Sequence, residues 1–211
     1  TQKWTLFPYT TLFRSVDLPG RGEQQNVTAL TIRDHADFIG ETISEDVIVV
    51  GHSMGGLVGM ELALNNPLVK GLMLVGSHYE LPVHPKILTA LDQGVFPDGL
   101  FYASYRKEVL QALLEEERRE IGLVSLKQTY ADFLACSEYS SGRDCISKLT
   151  IPILAIYGDE DRLLPVKASR ELVETNRQVK VVTVEHAGHY IMLEQPQAFE
   201  HALIGFRNKI E

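Results

Sequence analysis

The sequence predicts an α/β fold: a mostly parallel sheet flanked by helices, with a helical insertion. Three observations predict it. First, Val47-Ile48-Val49-Val50 is followed at once by Gly51-His52-Ser53-Met54-Gly55 and then by helical composition over residues 57–65. Four β-branched residues in a row read as a strand buried on both faces. Second, three further short apolar runs, Val69–Val75, residues 151–157 and Val179–Val184, are each bounded by turn or helix-forming residues. Third, this alternation breaks down over residues 79–147, where two long helical patterns replace it.

The elements follow in order. Over residues 28–43, Ile32, Ala36, Ile39 and Ile43 recur at helical spacing, which predicts an amphipathic helix with His35 on its solvated face. The helix after Ser53 stops at Asn65-Asn66-Pro67. Strand Val69–Val75 ends at Gly76-Ser77-His78, with His78 and His84 expected near the mouth of a site. In the insertion, residues 100–121 and 123–136 read as helices, and Glu115 to Glu120 as a solvated charged face. Phe96, Phe101, Tyr102, Tyr105, Tyr130 and Phe133 are its candidate substrate contacts. Strand 151–157 runs into Gly158-Asp159-Glu160-Asp161, and Pro165 opens a helix to about Asn176. Strand Val179–Val184 leads into Glu185-His186-Ala187-Gly188-His189, and a last amphipathic helix spans residues 196–210, with His201 on its surface.

Composition narrows the class. A formal net charge of −8 on 211 residues argues against a nucleic-acid partner. No apolar run approaches the about 18 residues that would cross a membrane. Cys136 and Cys145 form neither a disulfide framework nor a metal-ligand pattern, and reduced thiols in a cytoplasm are expected. Asp17-Leu18-Pro19-Gly20 contains the D-x-x-G of GTP-binding domains, but no G-x-x-x-x-G-K-[ST] phosphate loop accompanies it, and no G-x-G-x-x-G is present. No cofactor and no metal are expected. The oligomeric state is left open.

Gly51-His52-Ser53-Met54-Gly55 is a G-x-S-x-G between a strand and a helix. In that context the turn is so tight that a Cβ at Gly51 or Gly55 is expected to collide with its surroundings. Ser53 is then strained, with its hydroxyl at the carboxyl end of the strand. The helix start supplies a free N–H, that of Met54, where an oxyanion would form.

This strand–elbow–helix unit resembles the α/β-hydrolase superfamily. The resemblance extends over residues 16–211, with the insertion its least defined part. Asp17-Leu18-Pro19-Gly20-Arg21-Gly22 is similar to the family's D-x-P-G-x-G, and residues 79–147 stand where members carry a helical cap. The family's acid lies three residues past a strand-end glycine and precedes two apolar residues and a proline. That frame selects Asp161 over Asp159 and Glu160. Gly188-His189-Tyr190-Ile191-Met192-Leu193-Glu194-Gln195-Pro196 resembles G-H-x-x-x-x-E-x-P, which makes His189 the base rather than His186. The implied catalytic set is Ser53, Asp161 and His189, in the family's chain order.

The resemblance implies a cofactor-independent serine hydrolase that cleaves a carboxylic ester or similar small acyl substrate. A serine nucleophile argues against the fold's epoxide hydrolases and dehalogenases, which use aspartate. The alternatives are a carbon–carbon bond hydrolase or lyase on the same triad, and a small-molecule receptor with little turnover. Residues 5–15 resemble the translation of a short-read sequencing adapter carried in from environmental DNA. The domain expectation is therefore residues 1–15 non-native, 16–78 nucleophile half of the core, 79–147 cap, and 148–211 acid and base half. On this reading the family's first strands and its second oxyanion donor are missing, Val47 to Val50 becomes an exposed edge strand, and the chain as written is expected to be a poor catalyst.

Overall fold

A computed structural model describes residues 13–210. Four parallel strands, β1 (Val47–His52), β2 (Val69–Val75), β3 (Ile153–Gly158) and β4 (Val179–Val184), form one sheet in the order β1-β2-β3-β4. Each crossover carries helix: α1 (Ile32–Gly40) precedes β1, and α2 (Met54–Asn65) joins β1 to β2. Five helices lie between β2 and β3: α3 (Pro85–Asp92), α4 (Asp98–Ala103), α5 (Gln111–Ile121), α6 (Leu126–Glu138) and α7 (Gly142–Lys148). Helix α8 (Ala168–Thr175) joins β3 to β4, and α9 (Ile191–Glu194) and α10 (Pro196–Arg207) follow. The α/β class, the parallel sheet and the flanking helices are those the sequence predicts. The stretch read as adapter-like lies mostly outside the described residues.

The period of two along a strand divides the core into two layers. Leu72, Leu74, Ile153, Ala155 and Tyr157 face α1, α2, α7 and α8, whereas Met73, Val75, Leu154 and Ile156 face α9 and α10. Helix α2 is buried continuously from Gly56 to Leu62, as expected of a helix that is apolar all round. It lies close on the sheet, since a Cβ at Gly59 would sit 2.9 Å from Leu72 Cδ1. Its one buried charge, Glu61, accepts the Tyr139 hydroxyl at 2.9 Å and the Asn65 amide at 3.3 Å.

Four expectations are corrected. The run Val47–Val50 is not buried on both faces, as its composition alone reads: among the described residues β1 is the exposed edge strand that the missing first strands imply, and Val50 is 42% exposed. His35 is fully buried rather than solvated, because it stands three residues after Ile32 and four before Ile39, on the inward stripe of α1. The start of that helix is fixed by a capping box between Thr31 and Asp34. The helix expected over residues 100–121 is broken at residues 104–110, where side chains capture the backbone. There the Arg106 N–H donates to Glu194 at 3.0 Å and the Lys107 N–H to Glu160 at 3.2 Å. Glu117, read as part of a solvated face, is half-buried, because it is four residues from both Leu113 and Ile121 on the inner side of α5.

Candidate active site

Ser53 is the hinge between β1 and α2. Its backbone holds φ 50° and ψ −119°, one of two non-glycine residues with positive φ among those described. Such a conformation costs on the order of 1–3 kcal/mol and persists only where surrounding contacts over-determine it. Those contacts are present. The Ser53 N–H donates to Val75 O at 2.9 Å, and the Ser53 carbonyl accepts from Gly56 N–H and Ser77 Oγ, each at 2.8 Å. A Cβ at Gly51 would overlap the Gly55 carbonyl, so the first glycine of the elbow is sterically required. The expectation for Gly55 is corrected: a Cβ there has open space among the described residues. The second tight position is Gly56, where a Cβ would run into the Ser77 side chain. Met54 opens α2, so its N–H has no intrahelical acceptor and is available to a ligand oxygen.

Asp161 and His189 come from the loops after β3 and β4. His189 is 4% exposed, and its Nδ1 is 2.9 Å from Asp161 Oδ2. A carboxylate can only accept, so Nδ1 carries a ring proton, which leaves Nε2 as the nitrogen that can take or give one. Asp161 Oδ1 also accepts the Leu163 N–H at 2.8 Å. Burial pushes the Asp161 carboxyl up, but the hydrogen bond and charge of His189, with the Leu163 and Leu164 N–H groups, outweigh it. They hold the group below its ordinary value. The neighbouring carboxylates are used elsewhere: Asp159 accepts the Ala187 N–H at 3.3 Å and Glu160 the Lys107 N–H.

The ring of His189 packs on the turn after β2, where a Cβ at Gly76 (φ 51°) would lie 3.1 Å from its Nδ1. Ser53 and His189 line the same open depression, of about 1990 Å³, together with His52, Met54 and Gly55. No hydrogen bond joins Ser53 Oγ to His189 in this conformation. Such bonds are often long before substrate binds.

His52 points its ring at the loop after β4 that carries His189, the candidate base loop. Its Nε2–H donates to the His189 carbonyl at 3.1 Å, and the two rings are 4.7 Å apart. Burial first, then the nearby charge of His189, lowers its pKa to about 3, so it stays neutral. On the far side, Glu117 of α5 lines the depression and accepts the Tyr190 hydroxyl at 3.0 Å. Burial raises its carboxyl above the ordinary range against the pull of Tyr105, Tyr190 and His189.

The other candidates separate. Phe96 and Phe133 line the depression, as do Leu100, Ile121 and Val124. Phe101 and Tyr105 are buried, and Tyr102 is an exposed neighbour of Arg118. His84 lines the depression, whereas His78 is buried beside Glu171, 3.4 Å away. His186 and His201 are exposed. Sequence reasoning gave no role to Ser77 or Ser104, whose oxygens hold the Ser53 and His189 backbones; the only available signal was Ser77's place at a strand end. Among the described residues no group of three or more His, Cys, Asp or Glu could hold a metal ion.

The family model described as "Alpha/beta hydrolase family" matches residues 4–202. The chain belongs to the alpha/beta hydrolase family. This hydrolase is 28% identical over 209 residues to the pimeloyl-[acyl-carrier protein] methyl ester esterase of Yersinia pseudotuberculosis, covering 90% of this chain and 81% of that one. The enzyme of the same description from Neisseria meningitidis is also 28% identical over 209 residues, covering 91% of this chain and 81% of its own. Among solved structures, a thermophilic esterase superposes with TM-score 0.81 at 28% identity, over 92% of the hydrolase and 79% of that chain. A thermophilic esterase from Thermogutta terrifontis, at 22% identity and TM-score 0.79 over 92% of this chain and 78% of its own, shares the fold.

Proposed function

We propose that this hydrolase cleaves a carboxylic ester or similar small acyl substrate through an acyl-enzyme on Ser53. The observation that carries the reading is the Asp161–His189 contact at 2.9 Å, facing the depression that the strained Ser53 also lines. Ser53 Oγ attacks the acyl carbon while His189 Nε2 takes its proton. The carbonyl electrons move onto the oxygen, towards the Met54 N–H. The tetrahedral adduct collapses, the C–O bond to the alcohol breaks, and His189 returns the proton to the departing oxygen. Water then attacks the acyl-enzyme with the same base, releasing the acid and Ser53. Asp161 fixes the Nδ1–H tautomer and stabilises the imidazolium in both halves.

The names of the 28%-identical relatives make methyl esters the first substrates to try. Phe96, Leu100, Ile121, Val124 and Phe133 along the depression favour an apolar acyl chain over a highly charged one. Cys136 and Cys145, both free and buried, fit a reducing compartment.

Repeated turnover of a chromogenic short-chain ester tests the reading. Ser53→Ala and His189→Ala should each abolish whatever turnover the protein shows, the full effect reaching ~10⁶ in kcat where the starting activity is high enough to read it, and a fluorophosphonate should modify Ser53 as the labelled serine. Unchanged hydrolysis by Ser53→Ala removes the assignment. A ligand-induced rise in Tm without turnover would favour a receptor.

A further inference from the structure

The resemblance motif around His189 contains one residue that the chemistry above does not use, Glu194. Its side chain is 1% exposed, yet its hydrogen bonds go to backbone N–H groups and not to a side chain of the candidate triad. Its two carboxylate oxygens are divided. Oε2 accepts the N–H of Gly188, the residue before His189, at 2.6 Å. Oε1 accepts the N–H of Arg106 at 3.0 Å, with Arg106 Nε 3.9 Å away. The short segment Ser104-Tyr105-Arg106, which breaks the helical insertion, is thereby held against the base loop. The same segment reaches His189 directly, since the Ser104 carbonyl accepts the His189 N–H at 2.9 Å. No side chain fits between the two backbones: a Cβ at Gly188 would lie 2.5 Å from Arg106 N and 2.6 Å from Tyr105 C.

We infer that Glu194 is a positioning residue for His189, clamping the base loop to the insertion segment Ser104-Tyr105-Arg106 by accepting one N–H from each. The inference rests on His189 being the base. It follows from the way that base is held. The backbone of His189 is held at both ends, Ser104 taking its N–H and His52 meeting its carbonyl, while Gln195 meets the carbonyl of His186 earlier in the same loop at 3.0 Å. The Gly188 N–H is the remaining point of attachment directly before the imidazole-bearing residue, and Glu194 alone occupies it. An ionised carboxylate suits two converging donors because it has no donor of its own and both its oxygens accept. Glutamine offers one oxygen and turns an N–H₂ towards the second donor. Aspartate is one methylene short of spanning both.

The position of the imidazole therefore depends on the insertion. Displacement of a base by about 1 Å lowers the rate by roughly 10² while leaving substrate binding intact. Because Glu194 acts through His189, its loss must vanish once His189 is gone, as happens for residues that work as one unit.

The experiment measures kcat and KM for a chromogenic ester with Glu194→Ala, Glu194→Gln, His189→Ala and the double variants. Glu194→Ala is expected to lower kcat about 10²-fold with KM within about threefold, and Glu194→Gln to recover part of that loss. In the His189→Ala background either Glu194 change should alter the residual rate less than about twofold. Equal losses with and without His189 would overturn the inference, as would wild-type kcat in Glu194→Ala. Should Glu194→Ala fail to fold, the Glu194→Gln pair of backgrounds decides alone. If His189→Ala retains full turnover, the reading of the base fails instead, and the two failures are thus distinct.

Discussion

Asp161 and His189, 28 residues apart in the chain, meet at 2.9 Å because adjacent parallel strands β3 and β4 deliver their following loops to the same end of the sheet. Of the three carboxylates in Asp159-Glu160-Asp161, this pairing selects one. Asp161→Asn is expected to lower kcat by ~10⁴, since an amide in place of the carboxylate permits the wrong imidazole tautomer. Asp159→Asn and Glu160→Gln should stay within about tenfold of wild type. Steady-state kinetics on one ester compare all three, and a crippled Asp159→Asn would move the acid by two residues.

The elbow glycines are predicted to differ in their tolerance. Gly51→Ala and Gly56→Ala place a methyl group into the Gly55 carbonyl and the Ser77 side chain, respectively. Overpacking of this kind costs about 1–3 kcal/mol or more. Gly55→Ala meets open space and should leave Tm nearly unchanged. Thermal melts of the three variants check the order. Loss of stability in Gly55→Ala alone would contradict it.

His52 should make stability depend on acid. Its pKa is 6.5 in the unfolded chain and about 3 in the fold, so between those values only the unfolded state takes the proton. Stability therefore rises with pH across that window and is lost as pH falls from 6.5 towards 3, by a few kcal/mol if nothing else titrates. Urea denaturation from pH 7 to pH 4 should show this slope, and it should flatten in His52→Gln. An unchanged slope would assign the acid sensitivity elsewhere.

Asp132 of α6 anchors a second buried polar cluster. It accepts from Arg21 and, at 2.8 Å, from Gln128, with His35 Nε2 3.7 Å away. Burial raises its carboxyl, but His35, Arg21 and Gln128 together hold it below its ordinary value. Its stabilisation is thus present above pH 3.8 and lost as pH falls through the lowered folded value. Asp132→Asn leaves Arg21 without its counter-charge, and because the Arg21 side chain is one-third exposed and partly screened by solvent, the cost at pH 7 should be about 1–3 kcal/mol. Chemical denaturation should show this deficit shrinking in strong acid.

Much of the fold was legible because its signals are local. Val69–Val75 and Val179–Val184 have the strand bounds that their apolar runs predict, and β1 with its elbow is visible in ten consecutive residues. The places where the reading needed correction are governed by the side a residue faces. His35 and Glu117 look like surface charges in the chain, and only docking against α6 or the base loop turns them inward. Ser77 and Ser104 were out of reach for the same reason. Each acts through an oxygen aimed at another residue's backbone, and composition carries no trace of that. Gly55 reversed the error, since a motif supplied a steric reason that the local space does not require.

Strand order in the sheet equals strand order in the chain, and His52 reaches across 137 positions to the His189 carbonyl. During synthesis on a ribosome, the proposed nucleophile therefore emerges long before its base. A nascent chain that has folded only β1 and β2 can present Ser53, but has nothing to deprotonate it. On that assignment, reactivity waits until β4 docks on β3 and brings the loop carrying His189 into place. On the proposed assignment, ester turnover would be a readout of the completed sheet, since a chain that stops before His189 has no base for Ser53.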